Sequence, residues 1–194
     1  MSLLERGFKT WSEKTSLTFR KDLNLASDGA LDPRELAVKM GVLVWTAEFV
    51  AQHGNLAQEH LDQLTKHDSG SWSAVTLVLS TRTLVIINST HAKVRQNSDI
   101  MHELAHLVLQ HKPSRVDITP DGHMVLDNYD RKQEEEANWL AGSLLVPREP
   151  LVVMVRRKTP SETIAQHFVV SSKMLQWRRQ ATGVDAQLAR ASKL

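Results

Sequence analysis

The spacing of hydrophobic residues divides the chain into helical and extended segments. Apolar and charged residues alternate up to about Asn24 with the periodicity of an amphipathic helix. The residues at 32–35, Asp-Pro-Arg-Glu, form a helix cap with proline at the first helical position, and Gly41 is a stop signal. A short strand is predicted over 42–45 and a polar helical stretch over 55–66.

Two neighbouring apolar runs are rich in β-branched residues. The runs at 74–79 and 83–88 are joined by three polar residues and most simply form an antiparallel hairpin. A strand at the edge of a sheet can hold an extended peptide through main-chain hydrogen bonds. The pattern leaves open which strand lies at the edge.

A helix is predicted around residues 100–109, because apolar residues cover most of its circumference and no proline or glycine interrupts it before Pro113. This helix carries a His-Glu-x-x-His motif at His102, Glu103 and His106. Histidines four residues apart lie about 40° apart around the axis, so both imidazoles can reach one ion, and Glu103 lies about 100° from His102, beside the metal. The motif indicates a zinc site for hydrolysis, usually of peptide bonds. The alternative is an ordinary core helix that happens to carry two histidines.

A catalytic zinc ion needs a third protein ligand. The best candidate lies in a helix that is predicted over 134–146 and ended by a proline. The apolar stripe of this helix is centred about 60° from Glu134, about 100° from Glu136 and about 160° from Glu135, so Glu134 is directed inward. Glu136 is the next candidate if Glu134 is not the ligand.

Asn138 lies one turn after Glu134 and on the same side of the helix, where its amide can hydrogen-bond a metal ligand. The alternative explanation of the three glutamates is an acidic first turn that stabilises the helix dipole. That explanation fits Glu135 and Glu136 better than Glu134.

A long polar connection from Pro113 to Arg131 separates the two helices and contains a Pro-Asp-Gly turn signal. Loops of this length inside a compact domain are often functional. His111, His123 and Tyr129, with His91 upstream, are therefore candidate contacts for the substrate or for the oxyanion of a tetrahedral intermediate. A surface histidine or a packed tyrosine is the alternative in each case.

Composition narrows the class of protein. A chain of 194 residues can bury a full core and suggests one main domain. It has no cysteine, so it can form neither a disulfide nor a thiolate metal site. Charged residues interrupt the apolar residues near the N-terminus, and no segment approaches the length of a membrane span. We therefore expect a cytoplasmic protein that does not associate with a membrane.

The segment 151–194 is basic and helical. Helices are predicted from Ser161 through Phe168 and from Lys173 to about Ala181, in the manner of a helix-turn-helix. Eight Lys or Arg residues stand in this segment against two Asp or Glu residues. We expect it to pack on a core formed by residues 1–150 or to dock a partner, and direct DNA binding is the alternative.

The run HELAHLVLQH, followed by E-x-x-A-N-x-x-A-x-x-L-L-V-P, resembles the ImmA/IrrE family of zinc metallopeptidases. The similarity can be followed from about Phe8 to Gly183. It departs at Leu140 and Val146, where phenylalanine and methionine are usual, and neither position belongs to the proposed chemistry. The resemblance implies an α+β fold with a zincin-like core, in which a small, mostly antiparallel sheet packs on helices, and a helical C-terminal segment.

The resemblance also implies roles for individual residues. His102, His106 and Glu134 would bind one zinc ion per chain, and Glu103 would be the catalytic base. Members of the family typically cleave a helix-turn-helix repressor, often encoded beside them in mobile elements or toxin–antitoxin-like pairs, and cleavage relieves repression.

We therefore expect a site-specific endopeptidase that acts on a repressor or antitoxin-like partner. The alternative is a non-proteolytic, metal-containing regulator that binds a repressor, a toxin partner or DNA. The intact Glu103 favours the enzyme, because a binding module needs no base beside the metal.

Overall fold

Ten α-helices and five strands make up the part of the chain that the computed structural model describes, residues 3–54, 57–67, 69–112, 115–118, 124–127 and 130–191. The helices are α1 (Phe8–Asp22), α2 (Pro33–Lys39), α3 (Ala47–Gly54), α4 (Gln58–Asp62), α5 (Lys93–Val108), α6 (Arg131–Leu145), α7 (Arg148–Arg156), α8 (Ser161–His167), α9 (Ser172–Thr182) and α10 (Val184–Ala191). A π-helical turn, Gln63–His67, continues α4. The strands are β1 (Val42–Thr46), β2 (Ala74–Val78), β3 (Thr83–Ile87), β4 (Arg115–Ile118) and β5 (Met124–Asp127).

The main sheet has three strands in the order β1-β3-β2. The predicted hairpin is confirmed, because β2 and β3 pair antiparallel with Thr76 opposite Val85. β1 pairs parallel with β3, so the chain crosses over through α3 and α4 between them. β4 and β5 form a separate antiparallel pair. The predicted α+β class is therefore confirmed, and antiparallel pairing predominates among the described strands.

Side chains and glycines at the helix ends explain where several helices begin and stop. The Asp32 carboxylate accepts a hydrogen bond of 2.8 Å from the Arg34 backbone N–H at the start of α2. Gly41, with φ of 69°, follows the end of that helix. Asp130 caps α6 by accepting from the backbone N–H of Lys132 at 2.8 Å. This cap starts α6 at Arg131, three residues before the predicted start at Glu134.

The core lies between α5, α6 and the sheet. α5 buries Ile100, Met101, Leu104 and Ala105 completely. α6 buries its predicted apolar stripe against them, and the contributing residues are Ala137, Leu140, Ala141, Leu144 and Leu145. The predicted metal ligands on these two helices, His102, His106 and Glu134, are only partly buried and lie outside this packed core.

The connection between α5 and α6 differs from the polar loop predicted from Pro113 to Arg131. It contains β4 and β5, whose register pairs Arg115 with Asp127. The two candidate residues His123 and Tyr129 lie outside the described residues.

The C-terminal helices contribute to the same core as α5 and α6. The predicted helices of this segment are confirmed as α8 and α9, and Ile164, Phe168 and Leu175 are buried in the core cluster. The Trp177 ring packs so closely on Gly142 of α6 that a Cβ at that position would clash with it. The division of the chain into segments 1–150 and 151–194 stays a prediction. None of the helices in the described part of the chain is long and apolar enough to cross a membrane.

Candidate metal centre

Helix α5 presents His102, Glu103 and His106 on the side opposite its buried face. Ile100, Met101, Leu104 and Ala105 face the core, and the three motif residues are only partly buried. The side chain of His102 is 24% exposed and that of His106 is 21% exposed. This alternation follows from the 3.6-residue period of a helix with one apolar face.

Glu134 reaches across from the first turn of α6 to both histidines. Its Oε2 lies 3.3 Å from His102 Nε2, and its Oε1 lies 3.4 Å from His106 Nε2. The two Nε2 atoms are 3.0 Å apart. The structure thus brings together the three residues that the sequence predicts as metal ligands. We refer to His102, His106 and Glu134 as the metal centre.

The separations of these donor atoms fit a small divalent cation. Ligands that surround zinc tetrahedrally at about 2.0–2.1 Å are about 3.3–3.4 Å from one another. The three donors lie within 4.8 Å of one another and form a group that can hold a metal ion. Two imidazoles and a carboxylate also leave a fourth position open for water.

Burial keeps one of these ligands in the form that binds metal. Burial of His106, together with the neighbouring imidazoles of His102 and His111, lowers the pKa of His106 to about 4. The ring is therefore neutral at neutral pH. A neutral imidazole has a nitrogen lone pair to offer to a cation.

Thr76 of β2 holds the carboxylate of Glu103. The Thr76 hydroxyl donates a hydrogen bond to Glu103 Oε2. In the described part of the chain, Oε1 of Glu103 accepts no hydrogen bond. One oxygen of the carboxylate is thus fixed by the sheet and the other can accept a proton. Thr76 was not predicted from the sequence. The signal for it is that a polar residue stands between Val75 and Leu77 in a strand, where it must face the opposite side of the sheet from both.

His111 and Glu136 form a second contact between the two helices. His111 Nδ1 lies 3.0 Å from His106 Nδ1, and His111 Nε2 lies 3.2 Å from Glu136 Oε2. Both ring nitrogens of His111 are therefore engaged within the protein, whereas the sequence suggested a contact with the substrate. Because the pattern of α6 directs Glu136 partly away from the core, sequence reasoning did not connect it with His111.

Two other predicted residues do not join the metal centre in the described structure. Asn138 is exposed one turn after Glu134, and in the described structure it makes no hydrogen bond to a metal ligand. His91 lies with Nε2 3.1 Å from the Ser69 carbonyl oxygen and Nδ1 3.6 Å from the Asp99 carboxylate. Their predicted roles beside a ligand and at the substrate stay predictions.

A cavity of about 980 Å³ adjoins the metal centre and shares Glu134 with it. Trp139, Met174 and Trp177 form its apolar wall, so α6 and α9 both contribute. Three cationic side chains also line it: Arg95, Arg131 and Lys173. Among the residues that the structure describes, Arg131 and Lys173 form no ion pair.

A protein-family model matches the part of the chain that contains these residues. The model of the IrrE N-terminal-like domain, peptidase family M78, matches residues 50–179. The matched range is more than half of the chain, and it contains the metal centre, Glu103, Thr76 and the helices that position them. Neither a curated protein nor a solved structure matches the chain.

Proposed function

The chain belongs to the peptidase family of IrrE N-terminal-like domains, and from that membership we propose that it is a zinc-dependent endopeptidase that cuts one site in a protein partner. The observation that carries the proposal is the convergence of His102, His106 and Glu134 on one point, with donor atoms 3.0–3.4 Å apart. The carboxylate of Glu103, whose Oε2 is held by Thr76, follows His102 on the same helix.

A zinc ion held by these three residues would supply Lewis-acid activation of a water molecule and of the peptide carbonyl. Glu103 Oε1 accepts a proton from the attacking water as the water oxygen bonds to the peptide carbon. The same carboxylate then delivers that proton to the amine nitrogen as the C–N bond breaks, so the amine leaves neutral and Glu103 ends the cycle unchanged. The hydrogen bond from Thr76 keeps Oε2 in place, which leaves Oε1 as the oxygen that exchanges the proton.

The sheet offers a way to hold an extended peptide beside this carboxylate. β2 is an edge of the three-stranded sheet, and it carries Thr76. Its exposed apolar side chains are Val75, Leu77 and Val78. An extended peptide that pairs with the free edge of β2 would make main-chain hydrogen bonds close to Glu103.

The lining of the cavity next to Glu134 suggests which side chains of a protein partner would bind there. Its apolar wall suits an apolar side chain of the partner, and the Arg131 and Lys173 side chains beside that wall suit acidic residues next to it. Lys173, Met174 and Trp177 belong to α9, so the basic C-terminal segment contributes to this surface. We assign that segment to substrate binding in preference to DNA binding.

The proposed partner is a helix-turn-helix repressor or antitoxin, encoded near this gene and cut in the cytoplasm. This choice rests on the resemblance of the two motifs to the ImmA/IrrE family. Cleavage would release transcription that the repressor blocks.

The test is the intact mass of the nearest encoded helix-turn-helix protein after co-expression with the wild type, with Glu103→Gln and with Glu59→Gln. Glu59 is an exposed residue of α4 and serves as the matched control. We expect a single cut with the wild type and with Glu59→Gln, and none with Glu103→Gln. An uncut partner that co-purifies with all three would support the non-proteolytic regulator instead.

A further inference from the structure

A chain of hydrogen bonds leads away from the metal centre on the side opposite the zinc-binding nitrogen of His106. It runs from His106 Nδ1 to His111 Nδ1 over 3.0 Å, and from His111 Nε2 to Glu136 Oε2 over 3.2 Å. The side chains of His111 and Glu136 are only 8% and 13% exposed. We propose that His111 and Glu136 are positioning residues that hold His106 in the metal-binding tautomer, an inference that rests on the proposed zinc site.

The direction of these bonds follows from the valence of each group. Nε2 of His106 faces His102 and Glu134, so a metal there requires its lone pair and leaves the ring proton on Nδ1. That proton is donated to Nδ1 of His111, whose own proton must then be on Nε2. Since a carboxylate only accepts, Nε2–H of His111 donates to Glu136. When His111 carries a single ring proton, both bonds form only if His106 presents its Nε2 lone pair to the metal.

The backbone at the end of α5 fixes His111 in this position. Gln110 N–H donates to the Leu107 carbonyl over 3.1 Å, and His111 N–H donates to the His106 carbonyl over 3.0 Å. These two bonds, with Gln110 at φ of 54°, form the Schellman motif that closes a helix. The motif folds the residue after the left-handed position back over the third residue from the helix end. His111 is therefore held over His106 by main-chain geometry as well as by its ring.

The far end of the chain of bonds is anchored on the helix that supplies the third ligand. Glu134 and Glu136 both belong to α6, and Lys132 Nζ lies 3.8 Å from Glu136 Oε1. α6 thus contacts His106 twice, at Nε2 through Glu134 and at Nδ1 through Glu136 and His111. A neighbouring acceptor of this kind orients a metal-bound histidine and raises its basicity.

The test measures zinc affinity of the full-length chain by competition with a chelator. Loss of such a supporting contact weakens metal binding by about 10- to 100-fold, and we expect His111→Ala and Glu136→Gln to fall in this range. The zinc affinity of the variant that carries both substitutions should be no more than about threefold below that of His111→Ala. The His111 substitution alone already interrupts the chain of hydrogen bonds. Glu135→Gln, on the same helix turn, is the matched control and should retain wild-type affinity.

A conservative substitution separates positioning from packing. The amide of His111→Gln can accept from His106 Nδ1–H through oxygen and donate to Glu136 through nitrogen, so we expect zinc affinity within about threefold of the wild type. In the zinc-loaded protein, nitrogen NMR should report the Nδ1–H tautomer of His106. Equal zinc affinity in wild type, His111→Ala and Glu136→Gln would overturn the inference, even if the variants unfold at lower temperature without metal. A wild type that binds no zinc would overturn the proposed function itself.

Discussion

At the scale of single residues, the carboxylate of Glu103 depends on a neighbour from another element. The Thr76 hydroxyl of β2 is the donor that holds its Oε2. A carboxylate at the end of a flexible side chain loses rotational freedom when one oxygen is fixed, and a base that is already oriented transfers a proton more readily. Thr76 is therefore a positioning residue for the proposed reaction.

Replacing Thr76 by valine keeps the shape of the side chain and removes the hydroxyl. A hydrogen bond to a charged group contributes about 1.5–3 kcal/mol, so we expect kcat for cleavage of the partner to fall by about tenfold or more. KM and zinc content should stay close to those of the wild type, because the variant leaves the metal ligands in place. Steady-state kinetics with Thr76→Ser as the control check this. An unchanged kcat in Thr76→Val would remove Thr76 from the mechanism.

The residues of the metal centre could be predicted because each follows a local rule. The spacing of His102 and His106 is fixed by one helix turn, and Glu134 follows from the position of the apolar stripe on α6. Thr76 and Glu136 could not be predicted in the same way. Their partners lie 27 and 25 residues away in the chain, and those contacts depend on how separate elements pack.

At the scale of secondary-structure elements, four helices in the described part of the chain are followed by a residue other than glycine in the left-handed conformation. Asn24, Gln110, Lys158 and Val169 have φ between 52° and 57°. Each is followed by a residue whose backbone N–H reaches back to the helix, as Val170 does to Ala165 over 3.0 Å. A β-branched side chain is the least suited to this conformation, so Val169 carries the largest backbone strain of the four.

Replacing Val169 by glycine should therefore stabilise the protein. Relief of the left-handed strain, about 1–2 kcal/mol, exceeds the entropic cost of glycine, about 0.5–1 kcal/mol. We expect the free energy of unfolding to rise by about 0.5–1 kcal/mol in urea titrations. The matched control is Val153→Gly within α7, where Val153 is 42% exposed. That variant should lose about 0.5 kcal/mol in helix propensity, and equal losses in both variants would contradict the strain argument.

Sequence patterns predicted the elements that local signals determine, and they missed those that depend on contacts between distant segments. α2 has a local cap at Asp32 and a local stop at Gly41, and both signals are visible in the sequence. By contrast, the run Leu151 to Val155 is rich in β-branched valine and yet forms α7, because burial of Leu151 and Val152 outweighs intrinsic propensity. The parallel pairing of β1 with β3 also depends on a crossover that hydrophobic spacing does not reveal.

At the scale of the whole molecule, the first helix joins the C-terminal helices to the core that carries the candidate metal centre. Glu13 of α1 pairs with Arg178 of α9, which is completely buried, and also accepts from the Arg148 backbone N–H at 2.9 Å. Arg178 Nε donates to the Val146 carbonyl over 2.8 Å. Burial lowers the pKa of Arg178, while the Glu13 carboxylate opposes that shift. α1 precedes the range matched by the family model, yet it completes this junction.

Replacing Glu13 by glutamine should destabilise the whole molecule rather than one end of it. The change leaves the buried guanidinium of Arg178 without a counter-charge, and the loss of one partner from a buried pair costs about 3 kcal/mol or more. We expect a single unfolding transition at lower urea concentration, followed by both far-UV circular dichroism and tryptophan fluorescence. Glu5→Gln, which breaks the exposed pair of Glu5 with Lys132, is the control and should leave the midpoint unchanged. If tryptophan fluorescence, to which Trp177 on α9 contributes, changed at a lower urea concentration than the helical signal, the C-terminal helices would unfold separately, which would contradict the predicted packing of segment 151–194 on the core. A coincident transition would instead make α1, α6 and α9 one cooperative structure, because the buried pair joins α1 to α9 and Arg178 also donates to the Val146 carbonyl at the end of α6.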